Sequence, residues 1–503
     1  MYKARQDFDD VAWDQNDEAW ERSLRQLRSA STCRVAESIV QQQFGKAATL
    51  VTPLIMGGYN ILYKMRLDDE PDGIMVRIPC PDLVQFPYEK IVGEAAMARY
   101  LARATRVPVP RIFCHGHHPH IGPFILLQQI ESSRDLSDAL TTPDQPPDVT
   151  HVLNCDIPET ALAQYYTKVA SCLVQLSQPS FGRIGSLVET QEGNYTVAGR
   201  PITQNMNNML QLANIPRAVF PSESQTYGTA DEWYIALAEM HISQLVFQHN
   251  DIVTTEDDCR NKYLARHLFY KLARQGRLST FGFREDTWSA QSEQQSQSLL
   301  PAPDCVDSFR IWCDDLRPAN MLLNDSDDIV ALIDWEFAYI APTQFILDPP
   351  WWLLLDVPEM WSPGIDDWKE VYEKRLETWL SAMKTAEESA ASTPSLPFTL
   401  STYMRESWDT GRFWLNYAAR KSWAFDTIYW KFLDERFFGA RAEGTGTAAH
   451  ELWQTRGHLL DARERVAMDV FVARKMAESK QRVLVDWDPT EARERLAEVL
   501  SGF

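Results

Sequence analysis

The stretch WCDDLRPANMLL at residues 312–323, followed by DDIVALIDWEF at 327–337, decides the fold of this chain. Its two apolar runs, separated by a polar turn, predict adjacent strands. Asp315 and Asn320 stand five residues apart in a loop before the first run, and Asp334 ends the second. Phosphoryl transfer needs a carboxylate near the attacking hydroxyl and oxygen ligands for Mg²⁺. Each residue alone would more often be a turn or cap residue, but the joint order predicts that the three side chains meet at one metal site.

The segment resembles the catalytic loop and metal motif of the aminoglycoside and choline kinase-like family. There, His-Gly-Asp-Leu-His-Pro-Gly-Asn precedes Ile-Asp-Trp/Phe-Glu. The resemblance implies that Asp315 is the catalytic base and that Asn320 and Asp334 are metal ligands, with ATP and Mg²⁺ as cofactors. Cys313 replaces the first His, which braces the loop in the family, and Arg317 replaces the second. The first replacement implies a weaker brace and removes no reacting group.

The segments before this stretch predict the small lobe of a protein-kinase-like fold. Short β-rich runs precede one long helix, and two more strands follow it. From about residue 160 the pattern is mostly helical. We therefore predict an α+β, bilobal fold with a small antiparallel β-sheet N-lobe and a large, mostly helical C-lobe. The predicted N-lobe elements are strands at 49–55, 60–67 and 74–79, a helix at about 88–104, and strands near 111–116 and 122–130.

By the same resemblance, the N-lobe supplies the nucleotide site. Gly57 and Gly58 would form the phosphate-covering turn, since glycine lets the backbone approach oxygen atoms closely. Arg77 stands where kinases place a lysine on the third strand, and Glu94 would be its ion-pair partner. A plain surface or interlobe salt bridge is the alternative for this pair. Arginine also binds phosphate well, although its fork is larger than an ammonium group.

Two further positions follow from the resemblance. GPFILLQQIE at 122–131 resembles the strand that leads into the hinge, so backbone groups of Gln128, Gln129 and Ile130 are expected to contact adenine. Asp348 resembles a family aspartate that braces the catalytic loop, which predicts a structural role.

The likeness is strongest to the fungal-type branch of the family and spans about 50–440. Its carriers are VRIP at 76–79, VPVPRIF at 107–113, FGRIGSL at 181–187 and the aromatic-rich segment 407–430. Many members of that branch have no assigned substrate, so the acceptor stays open. We predict four parts: an N-terminal helical extension (1–48), the nucleotide-binding N-lobe (49–131), the helical C-lobe with the catalytic loop and substrate pocket (132–445), and a C-terminal helical tail (446–503).

Composition narrows the possible partners. The chain has 49 Lys and Arg against 70 Asp and Glu, a formal charge of -21, which argues against nucleic acid as a partner. Its eight cysteines form no CxxC pair or regular spacing, so neither a zinc site nor a disulfide framework is expected. The sequence shows neither a signal-peptide pattern nor a membrane-length apolar run. We expect a cytoplasmic protein without membrane contact.

Other stretches carry weaker expectations. The aromatic region 402–437 predicts a buried helical core, with part of a substrate-pocket wall as the alternative. The polar stretches 289–304 and 386–397 are each expected to be a surface loop or a disordered insert. HGHHPH at 115–120 is expected to be a polar loop between strands, with a metal site as the weaker alternative.

Two functions remain open. The first is an ATP- and Mg²⁺-dependent phosphotransferase that acts on a hydroxyl of a small molecule. The second is a catalytically impaired kinase-fold protein that binds nucleotide or serves as a scaffold, motivated by Arg77 and Cys313. A kinase acting on proteins is disfavoured, because no Ala-Pro-Glu segment follows Asp334. Protein partners cannot be identified from the sequence.

Overall fold

The chain forms two lobes, each with its own hydrophobic core. A computed structural model describes residues 8–67, 73–143, 149–191, 193–293, 299–390, 398–441 and 451–501. One apolar cluster joins helices at the N-terminus to a five-stranded sheet, and a much larger cluster fills the helical part. The predicted class, an α+β bilobal protein-kinase-like fold, is confirmed.

The small lobe is an antiparallel sheet with one long helix inserted after its third strand. Its strands are ordered β1-β2-β3-β5-β4, so the two strands that follow the helix add to the edge formed by β3. The elements are α1 (Asp10–Leu27), α2 (Ala30–Phe44), β1 (Ala48–Met56), β2 (Asn60–Leu67), β3 (Ile74–Pro79), α3 (Pro87–Ala104), β4 (Ile112–His118) and β5 (Gly122–Gln128).

Strand β3 lies in the middle of this sheet and is buried along its whole length. The register places Arg77 opposite Leu62 on β2 and Ile125 on β5. A buried central strand of Val and Ile is typical of a sheet covered on both faces. Arg77 is therefore a charged residue in the interior of the small lobe, which requires compensating partners.

The large lobe is mostly helical, with short antiparallel strand pairs beside the cleft. Its first elements are β6 (Arg134–Asp135), α4 (Leu136–Leu140), α5 (Glu159–Leu176), β7 (Ser186–Glu189), β8 (Tyr195–Gly199), α6 (Gln204–Ala213), α7 (Ala230–Phe247), α8 (Glu256–Arg274) and β9 (Phe309–Cys313). The later ones are β10 (Met321–Leu323), β11 (Ile329–Leu332), β12 (Ala338–Pro342), α9 (Thr343–Ile346), α10 (Ile365–Ser389), α11 (Leu400–Thr410), α12 (Arg412–Arg420), α13 (Phe425–Ile428), α14 (Asp434–Phe438), α15 (Leu452–Arg456), α16 (Ala462–Glu478) and α17 (Pro489–Ser501).

The segment 312–337 runs from the end of β9 to the residue before β12 and contains β10 and β11. Strand β9 pairs with β12, and β10 pairs with β11. The predicted adjacent strands are therefore β10 and β11. Because β10 and β11 are antiparallel, the residues after β11 lie next to the loop between β9 and β10.

The N-terminal helices bind both lobes. Helix α2 packs on the sheet, where the Leu50 amide donates to Glu37 Oε1 at 3.0 Å. At the start of α1, the buried Asp9 carboxylate accepts from the Val11 amide at 3.1 Å and from Asn250 Nδ2 of the large lobe at 2.9 Å. The extension thus connects the sheet to the helical lobe.

Asp9→Ala is expected to lower the free energy of unfolding by about 2–4 kcal/mol. The change removes a helix N-cap, worth about 1 kcal/mol, and leaves the buried backbone amide of Asn250 without its acceptor, at about 1–3 kcal/mol, while the Asn250 side chain keeps its hydrogen bond to Val483 O. Urea unfolding of the full chain measures the difference. Glu18→Ala, an exposed position on the same helix, is the control and should change stability by less than about 0.5 kcal/mol. Equal effects of the two substitutions would contradict this role of Asp9.

The predictions of a loop at 386–390 and of a loop over the whole of HGHHPH at 115–120 were wrong. Helix α10 runs to Ser389, because Ala386, Glu387 and Glu388 are strong helix formers. Residues 391–397 of that stretch lie outside the described residues. So do residues 294–298 of the other polar stretch, 289–304. The histidines of HGHHPH up to His118 extend strand β4 instead of forming a loop, because they pair with β5.

Three observations concern the expected absences. All eight cysteines are free thiols. Among the residues that the structure describes, no His, Cys, Asp and Glu side chains gather in a group of three or more suited to a metal. Within the same ranges, no helix has both the length and the apolar character needed to cross a membrane.

Candidate active site in the interlobe cleft

Asp315 lies in the turn after β9, where two side chains hold its carboxylate. Asn320, at the end of the short 3₁₀ turn Pro318–Asn320, donates from Nδ2 to Asp315 O at 2.8 Å and to Oδ2 at 3.0 Å. Arg317 Nε donates to Oδ1 at 3.0 Å. The Asp315 side chain is 13% exposed, so it reaches the cleft surface from a fixed position.

Asp334 joins this loop from the end of the second strand pair. It adopts a left-handed backbone conformation with φ 61°, which aspartate tolerates better than most residues. The Ile333 amide donates to Asn320 O at 3.0 Å, and the Cys313 thiol lies 3.8 Å from Asp334 O. Cys313 thus keeps a weak contact with the loop it was expected to brace. The structure thus brings Asp315, Asn320 and Asp334 to the same edge of the β10–β11 pair, and their catalytic and metal-binding roles stay predictions.

Arg77 connects the small lobe to this group. Its Nη1 lies 2.5 Å from Glu94 Oε1, and its Nη2 lies 2.9 Å from Asp334 Oδ1 and 2.6 Å from Glu336 Oε2. The guanidinium is almost fully buried, so these carboxylates supply the compensation that an interior charge requires. The predicted Arg77–Glu94 pair is present, and it is part of a network that crosses the cleft.

Lys90 is a second buried cation that the sequence reasoning missed. Its ammonium group contacts Glu336 Oε2, which also accepts from Asn60 Nδ2 at 2.8 Å. Lys90 stands four residues before Glu94 on α3, so both side chains share one helix face. That spacing was the available signal. The cleft therefore holds two cations, Arg77 and Lys90, on the single carboxylate of Glu336.

The electrostatics of this network follow from burial. Desolvation alone would raise the pKa of Glu336, but Lys90 and Arg77 outweigh it and hold that pKa below its usual range. Desolvation raises the pKa of Glu94, with only partial compensation from Arg77. Desolvation lowers the pKa of Lys90, and Glu336 opposes that shift. Glu336 is the carboxylate that most favours the charged form of Lys90, whereas Asp334 and Glu94 contribute more than Glu336 to the charged form of Arg77.

The pKa of Asp315 is raised from the ordinary aspartate value. Desolvation is the main cause, and the nearby negative charge of Asp334 adds to it. Arg317 opposes the shift. A raised pKa makes a carboxylate a better proton acceptor, provided that it stays ionised at the working pH.

The glycine turn lies over the cleft and carries an aromatic residue into it. Gly57 N donates to Asn60 O at 2.8 Å, which closes a tight turn that includes Gly58. From this turn Tyr59 reaches the large lobe, where its hydroxyl donates to Asn208 Oδ1 on α6 at 3.0 Å. Its ring meets Phe337 edge to face with centroids 5.3 Å apart. The sequence reasoning also missed Tyr59, although it directly follows the two glycines.

Hydrogen bonds to neighbouring backbone groups reduce the number of hinge amides that remain for adenine. The Gln128 amide donates to Arg111 O at 2.9 Å, and the Gln129 amide donates to Gly73 O at 2.8 Å. Of the three predicted adenine-contacting positions, only Ile130 keeps its amide clear of hydrogen bonds to the described part of the chain. Adenine recognition by the other two would have to use their carbonyl groups.

The side chains of Asn320, just before β10, and Asp334, just after β11, fit a magnesium ion. Asn320 turns its Nδ2 atom to Asp315, so its amide oxygen faces away from that residue. The Asp334 side chain remains 34% exposed and pairs with Arg77 through Oδ1. Carboxylate and amide oxygens are the hard ligands that Mg²⁺ prefers, and this ion commonly keeps several waters. Two protein ligands are therefore enough when phosphate oxygens complete the shell.

Comparisons with known proteins give structural likeness at low identity. No family model and no curated protein matches the chain. Solved phosphotransferase structures do align with it. A macrolide 2'-phosphotransferase type I is 12% identical with a TM-score of 0.38, and the alignment covers 86% of this chain and 98% of that one. A thermostable mutant aminoglycoside phosphotransferase, in a ternary complex with AMP-PNP and hygromycin B, is 14% identical with a TM-score of 0.37, over 78% and 97%.

A third structure is the GDP complex of a wild-type aminoglycoside 2'-phosphotransferase. It is 13% identical with a TM-score of 0.36, and the alignment covers 84% of this chain and 98% of that one. Aminoglycoside phosphotransferases, which the sequence motifs resemble, are thus also found among solved structures that align with the chain. The fungal-type branch stays a prediction.

Proposed function

We propose that this protein is an ATP- and Mg²⁺-dependent phosphotransferase that transfers the γ-phosphate to a hydroxyl of a small molecule. The observation that carries the proposal is the meeting of Asp315, Asn320 and Asp334 in one cleft with the Arg77–Glu94 pair. A carboxylate base, oxygen ligands and an oriented cation are the groups that phosphoryl transfer requires.

Each residue has a distinct role in this proposal. Asp315 orients the acceptor hydroxyl and accepts its proton. Asn320 and Asp334 hold the magnesium ion, which when bound offsets negative charge on the phosphates. Arg77, positioned by Glu94, binds the α- and β-phosphates. The glycine turn at 57–58 covers the phosphates, and the backbone near Ile130 contacts adenine.

The chain after Phe337 favours a small acceptor. It enters the buried strand β12 at once and pairs with β9, so no open segment stands there as a platform for a peptide. A cytoplasmic location accords with the eight free thiols, which persist in reducing compartments.

Nucleotide binding tests the proposal without knowledge of the acceptor. Isothermal titration with ATP should show binding that depends on Mg²⁺. Asp334→Ala should weaken it by about tenfold or more, because a metal ligand is lost. Asp325→Asn, an exposed carboxylate in the turn between β10 and β11, is the matched control and should leave affinity unchanged. Binding that is unaffected by both Mg²⁺ and Asp334→Ala would contradict the proposal.

The second candidate, a nucleotide-binding protein without turnover, is favoured by specific contacts. Arg77 already engages Asp334 and Glu336, and Arg317 and Asn320 together engage both oxygens of Asp315. Nucleotide must displace or share these contacts. A thermal shift with MgATP combined with no phosphate release to water or to any hydroxyl compound tested would favour this candidate over the enzyme.

A further inference from the structure

A cavity in the large lobe adjoins the strand that carries the catalytic loop. Its volume is about 80 Å³. Its walls come from α5, β9, α11 and α12 and from the turn at 349–352. They are mainly apolar, with a concentration of rings: Trp312, Trp335, Trp351, Trp352, Phe413 and Tyr417. Cys313 and Leu316 also line it, whereas Asp315 itself does not.

One buried carboxylate faces this apolar space. Asp348 lines the cavity, and its side chain is 3% exposed. Its Oδ1 accepts from Ser407 Oγ at 2.6 Å, while no hydrogen bond from the described residues reaches Oδ2. The nearest cation, Arg420 Nη2, lies 4.0 Å from Oδ2. A buried acceptor without a hydrogen bond costs about 1–3 kcal/mol, so a donor that entered the cavity would recover that energy.

The position of Arg420 determines the charge of a suitable ligand. Its guanidinium carbon lies 4.1 Å from the centroid of the Trp312 ring and beside Asp348, so a positive charge already balances the carboxylate. Desolvation raises the pKa of Asp348 to about 6, partly offset by Arg420, Ser407 and the nearby Asn416 amide. A second cation would meet repulsion from Arg420. A neutral hydroxyl donates a hydrogen bond without that penalty.

We propose that this cavity binds a small neutral alcohol, with its hydroxyl donating to Asp348 Oδ2 and its apolar body packed among the tryptophans. A cavity of about 150 Å³ lined by apolar side chains binds benzene, so the space here, about half as large, suits a molecule of roughly three or four non-hydrogen atoms, or the end of a larger one. The site is separate from the nucleotide cleft and requires no phosphoryl transfer. A test of this alcohol site is therefore independent of whether the proposed phosphotransferase function is correct.

Propan-2-ol and acetone test the proposal on the full chain without nucleotide. They have the same number of non-hydrogen atoms, but only the alcohol can donate to Oδ2. Calorimetric titration at pH 8 should show saturable binding of propan-2-ol, and binding of acetone that is weaker by about tenfold or more, as expected for a hydrogen bond to a charged group. Lack of saturable propan-2-ol binding, or equal affinity for both compounds, would overturn the proposal.

Asp348→Asn then locates the binding. The variant keeps an oxygen for Ser407 and places an amide donor where Oδ2 stood, so the preference for the alcohol should fall to about threefold or less. Asp366→Asn, an exposed carboxylate on α10, should keep the original preference. Met404→Trp should fill the space and remove propan-2-ol binding, because Met404 lines the cavity. A preference that survives Asp348→Asn would refute the assignment.

Discussion

Asp315→Asn is expected to lower the rate of phosphate release from MgATP by about 10²–10⁴-fold, the usual contribution of a general base. The substitution preserves side-chain volume but removes the proton acceptor. Nucleotide affinity should change by less than about threefold, since Asp315 does not hold the phosphates in the proposed site. Steady-state hydrolysis to water, measured beside calorimetric ATP binding, separates the two effects before any acceptor is known.

The neighbouring aspartate provides the matched control. Asp314 accepts from Trp312 Nε1 at 2.8 Å and from the Gln204 amide at 3.2 Å, so its carboxylate has a structural role. Asp314→Asn should lower turnover by less than about tenfold, within the range expected for a structural perturbation. A loss as large as that of Asp315→Asn would show that the base had been assigned to the wrong member of the pair.

The pH profile gives an independent check on Asp315. A base must be ionised to act, and burial holds the pKa of this carboxyl above the ordinary aspartate value. Turnover per bound nucleotide should therefore rise with pH, with its midpoint above about 3.9, the unperturbed value. The rise should be absent in Asp315→Asn. A profile unchanged by that substitution would assign the titration to another group.

Glu336→Gln is expected to lower the free energy of unfolding by about 3–5 kcal/mol, as when one partner of a buried ion pair is removed. Arg77 keeps Glu94 and Asp334 as partners. Among the described residues, Lys90 keeps the Asn60 side chain at 3.4 Å and the rings of Tyr59 and Phe337, whose centroids lie 5.3 and 5.4 Å from Nζ, but none of these groups is charged. The ammonium group, which is 1% exposed, then has no carboxylate in direct contact. Urea unfolding measures the loss, and Glu131→Gln, an exposed carboxylate, should change stability by less than about 0.5 kcal/mol.

A second substitution tests the cause of that loss. In Glu336→Gln combined with Lys90→Met, the unpaired charge is gone, so the double variant should be more stable than Glu336→Gln alone. A further loss on adding Lys90→Met would show that Lys90 stabilises the fold by contacts other than this pair.

The stability of Glu336→Gln should also depend on pH. The pKa of Lys90 is already lowered by burial, and loss of Glu336 lowers it further. A folded-state pKa below the unfolded value of about 10.4 means that the charged form opposes folding, so stability increases as pH rises toward that value. The difference between Glu336→Gln and the parent should therefore shrink between pH 7 and about 10.

The local sequence was sufficient to predict those features that depend on the spacing of residues within one segment. The loop and strands at 312–337 place Asp315, Asn320 and Asp334 together because adjacent strands bring their ends to one edge. The order of strands with one inserted helix predicts the small lobe, and the aromatic segment 402–437 predicts helices packed into a core. Phe413 and Tyr417 of this segment also line the cavity, and their place in the wall of a substrate pocket stays a prediction.

Contacts between distant segments were not readable in this way. Tyr59 meets Asn208, and Lys90 meets Glu336, across sequence separations that no periodicity encodes. The loss of two hinge amides to sheet hydrogen bonds likewise depends on how β5 is flanked, which the strand's own residues do not specify.

The sequence by itself determined the chemistry available to this protein, because residue type fixes which side chains can accept a proton, bind a hard metal ion or carry a charge. The tertiary structure alone decided their electrostatic state. Burial of Arg77 and Lys90 around Glu336, and of Asp348 beside an apolar cavity, removes water from these groups. The free energy of a charge in the interior depends on its neighbours in space, and those neighbours come from elements far apart in the chain.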